Sequence, residues 1–137
     1  MKKKIAIIGS GIAGLTAANL FKSDSNFDVM LYEREKELSL NEGYGIQLAI
    51  NGISILNKIK FFKVKNNSYF NPLKLNFYSN DNQKICDLNL AKFNTDDYKY
   101  TTLKRSTLIE FLKSDLFSNN IKFGKELKKV TKIENKL

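Results

Sequence analysis

Lys3-Lys4-Ile5-Ala6-Ile7-Ile8-Gly9-Ser10-Gly11-Ile12-Ala13-Gly14 opens the chain, and Asp28-Val29-Met30-Leu31-Tyr32-Glu33-Arg34 follows after one further apolar segment. The first stretch reads as a strand of Ile5, Ile7 and Ile8 running into a Gly-x-Gly-x-x-Gly turn that starts a helix. In such a turn Gly9 permits the tight bend, Gly11 lets the backbone approach a pyrophosphate, and Gly14 lets the helix pack closely on the strands. The helix start at Ile12 and Ala13 points unpaired N–H groups and a positive dipole end at the phosphates. Gly14, Ala17, Ala18 and Phe21 fall on one face at helical spacing and are expected to pack on the strands. Asp28 to Tyr32 reads as a second, buried strand. Glu33 at its end stands about 20 residues past the glycines, where a carboxylate accepts hydrogen bonds from an adenosine ribose. That carboxylate also repels a ribose 2′-phosphate.

Composition narrows the chemistry. At 137 residues, 42% hydrophobic and one proline, the chain suits a single domain. The single Cys86 excludes an internal disulfide and fits a reducing, cytoplasmic compartment. Histidine is absent, which removes His-based triads, His general bases and His-ligated metals. The charge of +9 comes from 23 basic residues, of which only Arg34 and Arg105 are arginine. The lysines are dispersed, and without arginine forks or a binding motif they point to a solvated surface and not to nucleic acid. Lys2, Lys3 and Lys4 precede an apolar run as in a secretory signal, but the glycines interrupt that run at the fingerprint positions. No segment reaches the ~20 apolar residues of a membrane span.

After Arg34 a simple nucleotide-binding unit would supply a helix and a third parallel strand. Instead 38–45 is a polar loop, and Ile46 to Ile50 leads into Asn51, an expected N-cap, and a short helix carrying Ile53, Leu56 and Ile59. Leu73–Tyr78 and Lys84–Leu90 alternate as an antiparallel hairpin about a turn at Asn80-Asp81-Asn82. Tyr98 to Leu103 has strand composition. Thr107-Leu108-Ile109-Glu110 offers a capping box for a helix with Leu108, Leu112 and Leu116 as its buried stripe. Ile121-Lys122-Phe123 and Leu127 to Ile133 are further strand candidates. The expected architecture is α/β: one domain over 1–137, a Rossmann-type βαβ unit with parallel strands, interrupted by a small antiparallel β insertion over 66–103.

Four separated segments in this order carry a resemblance. Ile5 to Gly14, Glu33-Arg34, Gly43-Tyr44-Gly45-Ile46-Gln47-Leu48 with Asn51, and Leu103-Lys104-Arg105-Ser106-Thr107-Leu108 resemble the N-terminal part of the FAD-dependent aromatic-ring hydroxylases, the p-hydroxybenzoate hydroxylase-like flavoprotein monooxygenases. The resemblance implies FAD as cofactor, NAD(P)H as transient electron donor, molecular oxygen, and an aromatic small-molecule substrate. It assigns the pyrophosphate to Gly9, Gly11, Ile12, Ala13 and Gly14, the ribose to Glu33, and the adenosine end to Arg34. Arg105 then falls near the ribityl and phosphate portion of the flavin, and Val130 where backbone meets the adenine. No catalytic acid or base is apparent.

Members of that family continue well beyond this length, with Asp-Gly and Gly-Asp motifs that do not occur in these residues. A partial chain is therefore expected, incomplete relative to the family, with a complementary C-terminal half as its partner and with exposed apolar surface. Two other readings stay open: a non-catalytic dinucleotide-binding module, and a fragment of another Rossmann oxidoreductase.

Overall fold

The computed structural model describes residues 1–40, 43–64, 68–116 and 120–132. In chain order they form β1 (Lys3–Ile8), α1 (Ile12–Lys22), β2 (Phe27–Tyr32), β3 (Gly45–Leu48), α2 (Ile50–Asn57), β4 (Tyr69–Phe70), β5 (Lys74–Tyr78), β6 (Lys84–Asn89), β7 (Thr101–Lys104), α3 (Arg105–Ser114) and β8 (Ile121–Lys122). Short 3-10 turns cover Phe61–Lys63 and Leu90–Lys92. The chain divides into two compact units, Met1–Asn41 with Ile109–Leu137, and Glu42–Leu108.

The first unit is built on a parallel sheet of order β1-β2-β8. β1 and β2 run in register from Lys3↔Phe27 to Ile8↔Tyr32, joined by α1 as the crossover that parallel strands require. β8 adds Leu31↔Ile121 and Tyr32↔Lys122, so a third parallel strand does arrive, some 90 residues after β2. Strand periodicity sends Val29 and Leu31 to the buried side, and Leu15, Ala18, Ile109, Leu112, Leu116 and Ile121 complete the buried apolar set. Each large side chain withdrawn from water contributes about 1.5–3 kcal/mol.

The burial of α1 extends beyond its expected apolar face. Leu15, Ala18 and Asn19 are its buried residues, whereas Phe21 is 40% exposed. Asn19 Nδ2 donates to the carbonyls of Leu15 at 2.9 Å and Leu112 at 2.7 Å and so ties α1 to α3 from within the core. Phe21 instead meets Phe27 edge to face, with centroids 5.4 Å apart.

In the second unit β3 and β4 flank β7 in an antiparallel sheet, with Gly45↔Lys104, Leu48↔Thr101 and Tyr69↔Leu103 among the paired residues. Thr101 and Leu103 are buried, as are Ile53 and Leu56 of α2, Ile59, Phe61, Leu90 and Leu108. β5 and β6 form a separate two-stranded hairpin, turning through Asn82 at φ +62°. Leu75 pairs with Leu88 and Phe77 with Cys86, which puts four apolar residues on one face; Lys74 pairs with Asn89 and Asn76 with Asp87 on the other. Lys74 and Lys84 both bridge Asp87, while Phe77, Cys86 and Leu88 stay exposed.

Three sequence expectations are corrected. Asn51 is not the cap of α2: Ala49 takes the N-cap position in extended backbone, and Asn51 Oδ1 accepts from the N–H of Gly52. Thr107 is not the cap of α3, which starts at Arg105 immediately after β7 and leaves Thr107 inside its first turn. Residues 127–132 form no strand, and Ile133 lies outside the described residues. The expected stripe on α3 is present in Leu108 and Leu112, 0% and 1% exposed, while Leu116, also buried, lies two residues past the helix end at Ser114.

Candidate dinucleotide site

The three glycines of the first turn differ in what surrounds them. Gly9 has φ +94°, a conformation L side chains rarely adopt, and its N–H donates to the Tyr32 carbonyl at 2.8 Å. A Cβ on Gly14 would stand 1.9 Å from the Gly9 carbonyl oxygen, so this residue sets how closely α1 approaches the turn. A Cβ on Gly11 would meet nothing within 4 Å. One glycine serves the bend, one the packing, and the third faces open space, the arrangement a bound pyrophosphate needs.

Gly11 is also the N-cap of α1, in extended backbone with no side chain capping the helix and no acidic residue in its first turn. The first bond into the helix is from the Leu15 N–H to the Gly11 carbonyl at 2.9 Å. The N–H groups of Ile12, Ala13 and Gly14 precede it and have no acceptor one turn back, which makes this end an anion-binding position.

Glu33 is held against that turn. Its Oε2 accepts from the Ser10 N–H at 2.7 Å and the Ser10 hydroxyl at 2.6 Å, and its Oε1 accepts from the Glu35 N–H at 3.0 Å. Burial alone would raise its pKa. The hydrogen bonds from Glu35, Ser10 and the Arg34 N–H outweigh that effect and hold it at about 2, against an ordinary 4.5. The group is therefore a carboxylate at every physiological pH. Ser10, only 4% exposed, is the site residue that pattern reading missed; its signal was a hydroxyl between the two glycines.

A testable consequence follows from the sign of that shift. A depressed carboxylate pKa contributes stability that is present above pH 4.5 and lost as pH falls through about 2. Ser10→Ala removes one of the donors, so the Glu33 carboxyl should titrate closer to 4.5 and the stability lost on acidification should shrink. Carbon NMR of the Glu33 carboxyl reads the first, and denaturation at pH 7 and pH 3 the second.

The remaining candidates divide. Arg34 Nε lies 3.2 Å from Glu35 in an exposed ion pair, a contact worth about 0–1 kcal/mol. Val130 is 61% exposed in the irregular segment after β8. The start of that segment is fixed to the end of β2, with Gly124 N–H donating to Glu35 O at 2.9 Å and Lys125 N–H to Glu33 O at 2.7 Å. Arg105 belongs to the second unit. Its N–H donates to the Tyr44 carbonyl at 3.1 Å, and a Cβ on Gly43, which has φ +92°, would lie 2.7 Å from its Cδ. Gly43 thus provides the flat bed on which this arginine lies.

Residues 7–42 match the model of an NAD(P)-binding Rossmann-like domain. Over 54 residues the chain is 43% identical to 3-amino-4-hydroxybenzoate 2-monooxygenase of Streptomyces cremeus, covering 39% of this chain and 13% of that protein. Klebsiella pneumoniae HpxO, solved with FAD and uric acid, superposes with a TM-score of 0.75 over 96% of this chain and 33% of its own, at 21% identity. 2-Methyl-3-hydroxypyridine-5-carboxylic acid oxygenase gives 0.71 over 90% and 32%, at 23% identity. The chain has the flavoprotein monooxygenase fold.

The chain spans about a third of the length of the solved proteins it matches. The parallel strands and intervening antiparallel β structure expected from sequence are present, the antiparallel part as two separate sheets, one of which includes β3. Among the described residues no helix is long and apolar enough to cross a membrane, and no group of His, Cys, Asp and Glu is placed to hold a metal.

Proposed function

We propose that this chain is the FAD-binding portion of a flavin-dependent monooxygenase that uses NAD(P)H and molecular oxygen to hydroxylate an aromatic or related small molecule. The observation that carries the reading is the uncapped start of α1 beside an open Gly11, with an ionised Glu33 held against the same turn. These residues fit FAD: a cradle that a Cβ at position 11 would enter, free amide donors for the pyrophosphate, and a carboxylate for the ribose.

In this assignment Gly9, Gly11, Ile12, Ala13 and Gly14 bind the pyrophosphate through backbone N–H groups. Glu33 accepts from the ribose hydroxyls, Arg34 lies at the adenosine end, and the backbone at Val130 meets the adenine. Arg105 serves the flavin portion, supported by the Gly43 bed that pre-sets its side chain. Bound FAD supplies hydride acceptance from NAD(P)H and activation of oxygen, while the protein contributes position and polarity. The substrate class rests on the names of the relatives, and the partner required is a complementary C-terminal polypeptide. The exposed, unpaired Cys86 supports a reducing compartment, in line with a cytoplasmic location.

Calorimetric titration of the chain with four ligands tests the reading. FAD and ADP should both bind, because both carry the adenosine and the pyrophosphate, with FAD the tighter if Arg105 serves the flavin portion. FMN, which lacks the adenosine, should not bind at this site. ADP bearing a 2′-phosphate should bind about tenfold or more weakly, through repulsion by Glu33. Equal binding of FMN and FAD, or no adenine-nucleotide binding, refutes the assignment.

A further inference from the structure

The hold of Ser10 on Glu33 is lopsided. Both donors of Ser10 fall on one carboxylate oxygen, the N–H reaching Oε2 at 2.7 Å and the hydroxyl reaching it at 2.6 Å. Among the described residues Oε1 takes the Glu35 N–H, at 3.0 Å. Each oxygen of a carboxylate has two acceptor positions. Oε2 is therefore filled, while Oε1 has a position left. The Arg34 N–H is the weakest of the donors to this group, so Oε1 is where a ligand hydroxyl can enter.

The surroundings of the two oxygens differ in the same sense. The bonds to Oε2 are partly buried and come from a residue 4% exposed, whereas the bond to Oε1 is exposed and comes from a surface residue. One oxygen faces the turn and the other faces outward. Both ends of the link are fixed by backbone: Gly9 N–H donates to Tyr32 O at 2.8 Å, and Glu33 N–H donates to Lys122 O at 2.9 Å. Hydrogen bonds to a charged acceptor are the strong ones, so the carboxylate does not swing out of this pose freely. A half-turn of the group exchanges its oxygens and restores the same contacts. What Ser10 fixes is thus one inward and one outward oxygen.

We propose that Ser10 is a positioning residue for ribose selectivity: by filling one oxygen of Glu33 it leaves a single outward oxygen to the ligand, so the site reads one of the two adenosine ribose hydroxyls and is indifferent to the other. This inference rests on the dinucleotide reading above. Ser10 touches no ligand in it and acts through Glu33.

ADP, 2′-deoxy-ADP and 3′-deoxy-ADP are the probes, titrated calorimetrically into the full chain. In the wild type one deoxy form should bind about tenfold more weakly than ADP, the loss of one hydrogen bond to a charged group, and the other should stay within about threefold of ADP. In Ser10→Ala each carboxylate oxygen keeps one backbone donor, so the group can turn either oxygen outward. The two deoxy forms should then differ by less than about threefold. A purely structural role for Ser10 would weaken all three probes alike and preserve their order. Equal binding of the two deoxy forms by the wild type overturns the proposal, and that arm needs no variant to fold. Wild-type selectivity retained in Ser10→Ala overturns it as well. A wild-type chain that binds no ADP removes the dinucleotide reading itself, which separates that failure from failure of the role given to Ser10.

Discussion

Gly14→Ala is expected to disrupt the first unit, at a cost of about 3 kcal/mol or more, a large part of the roughly 5–15 kcal/mol that a domain possesses. The added Cβ would sit 1.9 Å from the Gly9 carbonyl oxygen and 3.1 Å from its carbon. The obstacle is backbone, so no rotamer change relieves it. Gly9 itself cannot retreat easily, because its N–H is bonded to Tyr32 and its φ of +94° belongs to the turn. α1 must therefore lift away from the sheet, which loosens Leu15, Ala18 and the buried Asn19 amide together. Gly52→Ala in α2 is the control. It meets nothing within 4 Å, lies inside a helix and should stabilise by about 0.5–1 kcal/mol. Urea unfolding followed through amide resonances of the first unit for Gly14→Ala and of the second unit for Gly52→Ala measures each, and a Gly14→Ala midpoint equal to wild type would refute the packing role.

Local rules read the first 33 residues well, because each signal there is about neighbours. The positive φ at Gly9 and the close approach at Gly14 match the bend and the packing inferred from spacing, and the space beside Gly11 is open. The burial of Asn19 on α1 was illegible for a non-local reason: the residue is polar, and its bond to the carbonyl of Leu112, 93 residues away, is what holds it in the core. β7 is equally opaque in sequence. It is four residues long and gains its identity from β3 and β4, whose pairings lie about 55 and 33 residues back. α3 begins at Arg105 because β7 delivers the chain there directly, a constraint that outranks the Thr107 capping box. The Leu108 and Leu112 stripe survived that shift, since periodicity does not depend on where a helix starts. Around Val130 one apolar residue among lysines was too little to define a strand face.

Within the candidate site the glycines and Glu33 were legible, and Ser10 was not, although it is the residue that joins them. Sequence pattern identifies groups that would touch a ligand. It is blind to a hydroxyl whose contacts are all internal, even where those contacts fix the charge state of the neighbouring carboxylate. Gly43 is a similar case: its flat surface under the Arg105 side chain emerges only when residues 62 positions apart are brought together.

Gly11→Ala separates ligand recognition from folding. Its backbone has φ −70° and ψ −178°, which alanine adopts without strain, and the new Cβ would point into space with no protein atom within 4 Å. Alanine is a poorer N-cap than glycine by several tenths of a kcal/mol, and it lowers the entropy of the unfolded chain by a similar amount. The two effects oppose each other, so stability should stay within about 1 kcal/mol of wild type. Affinity for FAD and ADP should nevertheless fall about a hundredfold, because the methyl group enters the volume reserved for the pyrophosphate and holds it off the Ile12 and Ala13 N–H groups. Calorimetry with ADP and urea unfolding on the same sample give the two numbers. If the variant binds ADP as tightly as wild type, the open space beside Gly11 is not where the phosphates lie, and the turn serves α1 and β1 alone.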